Sequence, residues 1–223
     1  MKKVLNKIKK IFASPELIKF DQETFINKKE YMALQSLKID FIESKTINLN
    51  ELNFEISIDF DEDLRAFFEC EGNINRSILN SPHLKLLRTY LEEGKKFIEK
   101  NIEKLDYYKF FLAFNIKGKK INLFNPEEKI KVHYKREDIL IKVTKLINLY
   151  KSIKKTGYLR GKHRGHPIIV LKEPFIKSRF GVKVEHPSNK YEILSGHHRA
   201  AVLCALGEEK VKVIIAKDIM DIK

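Results

Sequence analysis

A strand, a Ser-Gly pair and a helix follow one another directly in residues 191–207, YEILSGHHRAAVLCALG. The first backbone N–H groups of a helix have no intrahelical partner and lie at the positive end of the helix dipole. Such a junction is a ready anion site, and Gly196 lets a phosphate approach the backbone. His197, His198 and Arg199 add side-chain donors at the same place. We therefore predict phosphate binding here; the alternative is a structural junction that the histidines only cap.

The segments around this junction alternate between strand and helix patterns. Apolar and β-branched runs predict strands over residues 129–134, 167–171, 191–194 and 210–216. A long helix ending at Gly157 is predicted by the apolar stripe Ile139, Val143, Leu146, Ile147, Tyr150 and Ile153. A short helix over residues 200–206 is ended by Gly207. This order predicts a mixed sheet with helices, and we assign the chain to the α+β class.

Residues 1–125 are predicted to be a mostly helical N-terminal region that precedes a second domain over residues 126–223. A helix start is indicated by Ser81, which suits the N-cap, and by Pro82, whose missing N–H costs nothing at the first helical position. The apolar stripe that follows is Leu84, Leu87, Leu91, Phe97, Ile98, Ile102 and Leu105.

Two other parts of this region have distinct patterns. Residues 52–60 alternate and predict a strand, and a helix is predicted to begin near Asp61. An aromatic cluster consists of Tyr107, Tyr108, Phe110, Phe111 and Phe114. We interpret this cluster as core packing, because a base-stacking surface would more usually lie on strands.

The positive charge is spread unevenly along the chain. The 223 residues carry a formal net charge of +14, mostly from Lys, which invites a nucleic-acid interpretation. Four of the eight Arg and five of the seven His fall between residues 160 and 199. Within that stretch the loop RGKHRGH, residues 160–166, suits a phosphate clamp in which Arg164 is a ligand. The alternative is a solvated basic loop.

Several function classes are disfavoured by what the sequence lacks. No apolar run approaches the roughly 20 residues needed to span a bilayer, and no secretory signal is recognisable. Cys70 and Cys204 lack metal or redox spacing, so we expect reduced cysteines in a cytoplasmic protein. We identify no zinc-type spacing, and hence no metal site, and neither a Walker loop nor a Ser-His-Asp pattern.

The first residues predict a short amphipathic helix. Residues 2–12, KKVLNKIKKIF, place Ile, Leu and Phe on one face with Lys beside them, and Ser14-Pro15 ends the helix. Such a helix could attach the protein to an anionic membrane at the inner face. The alternative is that its apolar face docks on the protein's own core or that the segment frays.

The residues over about 130–217 resemble the ParB/sulfiredoxin superfamily. The resemblance rests on Ile-Leu-Ser-Gly-His-His-Arg-Ala-Ala, on the helix that ends at Gly207, and on the Val/Ile strand after it. Upstream, Leu-Tyr-Lys-Ser-Ile-Lys-Lys-Thr-Gly precedes Pro-Ile-Ile-Val, as the family's helix precedes its Pro-Ile-x-Val strand. The resemblance implies a small α/β domain that binds phosphate.

Branches of this superfamily differ in activity. ParB partition proteins bind DNA and CTP through a Gly-Glu-Arg-Arg motif and continue into a helix-turn-helix region, whereas only about six residues follow the last strand here. Sulfiredoxins have a catalytic Cys where His197 stands. The free serine kinase branch is most similar to Gly-His-His-Arg, although its Asp before the Gly is replaced by Ser195. A Glu from an earlier segment serves as base in that branch, and Glu137 or Asp138 could supply it here; an acidic residue that opposes the helix dipole is the alternative.

These observations give three functional hypotheses. The first is a nucleotide-dependent phosphotransferase, or kinase, that uses ATP or ADP with Mg²⁺ and acts on a small hydroxyl-bearing metabolite. Its catalytic candidates are Glu137 and His198, and its nucleotide- or phosphate-binding candidates are Ser195, Gly196, His197, His198, Arg199 and Arg164. The second is a ParB-like nucleic-acid-binding or nuclease protein, for which we expect only weak DNA binding. The third is a nucleotide-sensing module without turnover.

Overall fold

The computed structural model describes the chain in segments, namely residues 16–36, 39–54, 66–70, 73–116, 120–121, 129–130, 134–171 and 190–218. The helix expected over residues 2–12 and the helix start near Asp61 lie outside these segments, as does the predicted strand beyond Phe54. The described residues form an α+β structure with five α-helices and a five-stranded mixed sheet.

The elements follow one another from the first described residues to the last. The strands are β1 (Leu17–Lys19), β2 (Phe25–Asn27), β3 (Ile39–Asn48), β4 (Leu52–Asn53), β5 (Glu69–Cys70), β6 (Asn73–Ile74), β7 (Lys120–Ile121), β8 (Lys129–Ile130), β9 (Ile168–Leu171), β10 (Tyr191–Ser195) and β11 (Lys210–Asp218). The helices are α1 (Lys28–Ser36), α2 (Pro82–Asn101), α3 (Asp106–Ile116), α4 (Arg136–Thr156) and α5 (His197–Ala205).

The five-stranded sheet has the order β3–β11–β9–β10–β4. Strand β9 runs parallel to β11, and β10 runs parallel to β4, while the β3–β11 and β9–β10 pairs are antiparallel. Two of its strands come from the first 125 residues, which we expected to be mostly helical. That expectation is not confirmed, and the predicted boundary at residue 125 does not coincide with a division of the sheet.

Both faces of the sheet are covered. In β9, Ile168 and Val170 belong to the main core beneath helices α2–α5, whereas Ile169 and Leu171 belong to a second core with Ile26 of β2 and residues of α1. All four residues of β9 are buried, as expected for an apolar run in a strand that is covered on both sides. The Ser195 end of β10 therefore lies between two packed layers.

The helix predictions are largely confirmed. Ser81 caps α2, because its side-chain oxygen accepts a hydrogen bond from the Leu84 N–H at 3.2 Å, and Pro82 is the first helical residue. The whole predicted stripe of α4 is buried, and Gly157 follows the helix with φ 83°.

The stripe of α2 is only partly correct. Leu84, Leu87, Ile98 and Ile102 are buried, but Leu91 and Phe97 are 49% and 39% exposed. Gly94 lies between these two residues with non-helical angles of φ 79° and ψ 173°. The interruption ends the alignment of one continuous helical face, so the spacing rule does not carry from Leu87 to Phe97.

The aromatic cluster packs against the main core in the part that the structure describes, as we predicted; Tyr108 is partly buried there, and the side chain of Phe114 lies outside the described residues. Tyr107, Phe110 and Phe111 are buried in the main core. Their rings contact one another mainly edge to face, with Tyr107 and Phe111 centroids 4.9 Å apart. These rings are not an exposed base-stacking surface.

Candidate functional site

The predicted strand–glycine–helix junction is present. Gly196 follows β10 with φ 107° and ψ 17°, a left-handed conformation that L side chains rarely adopt, and α5 begins at the next residue. A Cβ atom on Gly196 would lie 3.1 Å from the Cα of Ile168. Glycine is therefore required both by the backbone turn and by the close approach of β9.

The carboxylate at this junction comes from Glu30 in the first turn of α1. The Ser195 hydroxyl donates a 2.6 Å hydrogen bond to Glu30 Oε1. Arg199 Nη2 donates to the Ser195 oxygen at 3.3 Å. Asn27 orients this turn, since its side-chain oxygen accepts from the backbone N–H groups of Lys29 and Glu30.

The loop between α4 and β9 closes one side of the site. His166 Nδ1 lies 3.7 Å from Glu30 Oε2. The Gly165 carbonyl accepts a 2.7 Å hydrogen bond from the Asn27 N–H, and a side chain at Gly165 would collide with Leu17. The loop is thus docked on the β1–β2 hairpin, while its basic side chains Arg160, Lys162 and Arg164 are exposed.

Arg164, which we predicted to bind phosphate, makes a different contact. Its guanidinium carbon lies 3.9 Å from the centroid of the Phe25 ring, in a cation–π arrangement. The guanidinium of Arg199, by contrast, contacts Ser195 directly. Of these two arginines, Arg199 is the one joined to Glu30 through Ser195.

Glu30, His166, Ser195 and Arg199 together form what we call the Glu30 cluster. Burial of Glu30 raises its pKa, but the nearby His166 ring, the charge of Arg199 and the hydrogen bond from Ser195 more than offset this and leave the pKa below its usual value. The carboxylate is therefore ionised at neutral pH. Arg199 Nε is buried and has no hydrogen-bond partner within the described segments.

His197 and His198 lie against aromatic rings. The His197 ring is 4.5 Å from that of Phe54, and the His198 ring is 4.7 Å from that of His83. His198 is exposed, whereas His83 is buried. His197 and His198, which we predicted to be phosphate donors, thus pack against the rings of Phe54 and His83.

Glu137 is not the carboxylate that Ser195 contacts. It is an exposed residue in the first turn of α4, and the Ser195 hydroxyl is bonded to Glu30 instead. Asp138 has the structural role that we kept as the alternative, because its carboxylate accepts a 3.0 Å hydrogen bond from the Lys135 N–H and caps α4. Sequence reasoning missed Glu30, which is 165 residues from Ser195.

The arrangement combines groups that suit phosphate chemistry. The first N–H groups of α5 and Arg199 can hold a phosphate, and Glu30 can accept a proton from a hydroxyl. The negative charge of Glu30 repels a phosphate, so phosphates fit best on the side of Ser195 that faces the start of α5 and Arg199. Among the described residues, no group of three or more His, Cys, Asp or Glu is placed to hold a metal ion.

None of the helices within the described segments has the length and apolar character that a membrane crossing requires. Comparisons with protein-family models, with curated proteins and with solved structures found no match for this chain.

Proposed function

We propose that the protein is a nucleotide-dependent phosphotransferase that acts on a small hydroxyl-bearing metabolite. The observation that carries this proposal is the 2.6 Å hydrogen bond from a hydroxyl, that of Ser195, to the ionised carboxylate of Glu30. A carboxylate that already accepts a hydrogen bond from a hydroxyl, beside a guanidinium, is the arrangement needed by the base of a phosphoryl-transfer enzyme.

Each residue of the Glu30 cluster has a role in this proposal. The N–H groups at the start of α5 and the guanidinium of Arg199 bind phosphate oxygens and stabilise the charge that develops on them. Glu30 orients the acceptor hydroxyl and takes its proton. A bound nucleoside triphosphate would supply the phosphoryl group. The ParB/sulfiredoxin resemblance supports this assignment, since the free serine kinase branch uses a Glu from an earlier segment.

A two-step experiment tests the proposal. Thermal unfolding with and without magnesium nucleotides reports binding, because a ligand of the native state alone raises the Tm. Phosphoryl transfer from ATP to a panel of hydroxyl-bearing metabolites then reports turnover. We expect Glu30→Gln to lower kcat about a hundredfold or more while nucleotides still bind. We expect Glu137→Gln to keep wild-type turnover. If instead Glu137→Gln lost turnover and Glu30→Gln kept it, Glu137 in α4 would be the catalytic base.

The nucleotide-sensing alternative makes a different prediction. It keeps nucleotide binding at the start of α5 but gives no transfer to any acceptor. If nucleotides raise the Tm, and neither ADP nor a phosphorylated product accumulates with any acceptor in the panel, then the protein binds without turnover.

Nucleic-acid binding remains a second candidate because of the net charge of +14. Lysines dominate that charge, so we expect weak, sequence-independent binding to duplex DNA that falls steeply as salt is raised. Fluorescence anisotropy with two unrelated duplexes at two salt concentrations tests it. Tight binding to one duplex alone at physiological salt would favour this candidate over the phosphotransferase.

A further inference from the structure

We propose that Ser195 is itself a phosphoryl acceptor, so that the protein forms a phosphoserine at the end of β10. This inference rests on the proposed function, because the phosphoryl group comes from a nucleoside triphosphate. It goes further by assigning a covalent step to a side chain of the protein. The inference stands on the contacts of one hydroxyl group with Glu30 and Arg199.

The Ser195 oxygen has both a proton acceptor and a cation beside it. The Ser195 hydroxyl donates a hydrogen bond to Glu30 Oε1, with the two oxygens 2.6 Å apart, and Arg199 Nη2 lies 3.3 Å from the Ser195 oxygen. Loss of the proton to Glu30 makes the oxygen a stronger nucleophile, and Arg199 stabilises the negative charge that builds up on it. The serine is also partly exposed, so a phosphate can reach it.

The reaction balances without any further oxidant or reductant. A bond forms between Ser195 Oγ and the γ-phosphorus of the triphosphate, and the bond from that phosphorus to the β–γ bridging oxygen breaks. The bridging oxygen keeps the electron pair and leaves as part of the nucleoside diphosphate. The hydroxyl proton moves from Ser195 to Glu30.

The product would change the contacts of the cluster. A phosphoserine adds a charge of about −1.5 to −2, which is stabilised by Arg199 and by the start of α5. The same charge repels Glu30, and the hydrogen bond that the Ser195 hydroxyl donates to Glu30 no longer exists once that oxygen is esterified. We therefore expect phosphorylation to release α1 from the end of β10.

The chain contains a matched serine for comparison. The Ser44 hydroxyl on β3 also donates a hydrogen bond to a carboxylate, that of Asp21. Ser44 lies in the middle of a strand and not at the start of a helix. If a hydrogen bond to a carboxylate were enough for phosphorylation, both Ser44 and Ser195 would react. If Arg199 and the start of α5 are also needed, only Ser195 should react.

The experiment incubates the full chain with magnesium ATP and follows its intact mass, and peptide mapping then locates the phosphate. We expect one added phosphate on Ser195 in the wild-type protein and in Ser44→Ala, and none in Ser195→Ala. Glu30→Gln should react about a hundredfold more slowly, as expected when a general base is lost. Thermal unfolding of each variant shows whether it is folded.

The outcomes separate this inference from the proposed function. Transfer to a metabolite without any phosphoserine would overturn the inference and leave the proposed function standing. No binding of magnesium ATP would overturn both. Modification of Ser44 to the same extent, or an undiminished rate in Glu30→Gln, would show that the cluster does not direct the reaction. Mapping on the wild-type protein decides the matter even if Ser195→Ala does not fold.

Discussion

Ser195 Oγ lies 2.6 Å from Glu30 Oε1, and this hydrogen bond joins the first turn of α1 to the end of β10. Arg199, one helical turn further along α5, completes the contact from the other side. The charges of Glu30 and Arg199 offset each other, so the start of α5 is less positive than the basic residues around it would suggest. Anion binding at this junction therefore depends on the two hydrogen bonds of Ser195, the one that it donates to Glu30 and the one that it accepts from Arg199.

Replacing Arg199 tests its role in phosphate binding. We expect Arg199→Ala to weaken nucleotide binding by about 1.5–3 kcal/mol, the usual contribution of a charge-assisted hydrogen bond. Isothermal titration with magnesium nucleotides measures the change. Arg164→Ala is the matched control, because that guanidinium packs on Phe25, and its affinity should equal the wild-type value. An unchanged affinity in Arg199→Ala would assign this arginine a structural role.

Glu30 should stabilise the protein in a pH-dependent way. Its pKa in the folded state is lower than in the unfolded chain, so its contribution is present above about pH 4.5 and is lost as the pH falls through the lowered pKa. We expect Glu30→Gln to lower the free energy of unfolding by about 1–2 kcal/mol at pH 7. Urea titrations of both proteins should converge toward acid pH, and a difference that does not shrink would contradict the assignment.

The local predictions succeeded where one segment determines its own structure. Ser81 and Pro82 specify a helix start through their own backbone chemistry, and the stripe from Ile139 to Ile153 specifies a buried face. The turn at Gly196 needs a glycine whatever lies elsewhere in the chain. Such features depend on residues that are close in sequence, so they can be inferred from it.

The missed features depend on pairing between distant segments. Strand β3, with the sequence IDFIESKTIN, carries charged residues and no clean alternation, and its structure comes from nine residue pairs with β11. Glu30 likewise has no local signal for catalysis beyond the capping residue Asn27 before α1. A single sequence does not specify which distant strand or carboxylate will be the partner.

Gly196 should be far less replaceable than Gly207. Both have positive φ, but a Cβ at Gly196 would press on Ile168, whereas a Cβ at Gly207 would meet nothing within 4 Å. We expect Gly207→Ala to cost about 1–2 kcal/mol of stability from backbone strain alone. Gly196→Ala should cost more, since steric contact adds to the strain. Chemical denaturation compares the two variants. Equal losses of unfolding free energy would mean that Ile168 in β9 shifts to make room for the added Cβ at little cost.

His83 is the buried histidine beneath the start of α5. It is 4% exposed, and its Nδ1 has no hydrogen-bond partner among the described residues. Burial, followed by the nearby charges of His198, His197 and Lys142, holds its pKa well below the usual value. The ring is therefore neutral in the folded protein at neutral pH.

Replacing His83 by Phe should change how stability depends on pH. Below about pH 6.5 the unfolded chain binds a proton at this residue and the folded protein does not. The free energy of unfolding therefore falls by up to about 1.4 kcal/mol for each pH unit by which the pH is lowered. His83→Phe keeps the aromatic packing and removes this proton uptake. Near pH 7.5 its stability should equal or exceed that of the wild type, because the unpaired buried Nδ1 is gone. Urea unfolding between pH 7.5 and 5.5 measures both slopes, and parallel slopes would mean that His83 is protonated in the folded protein.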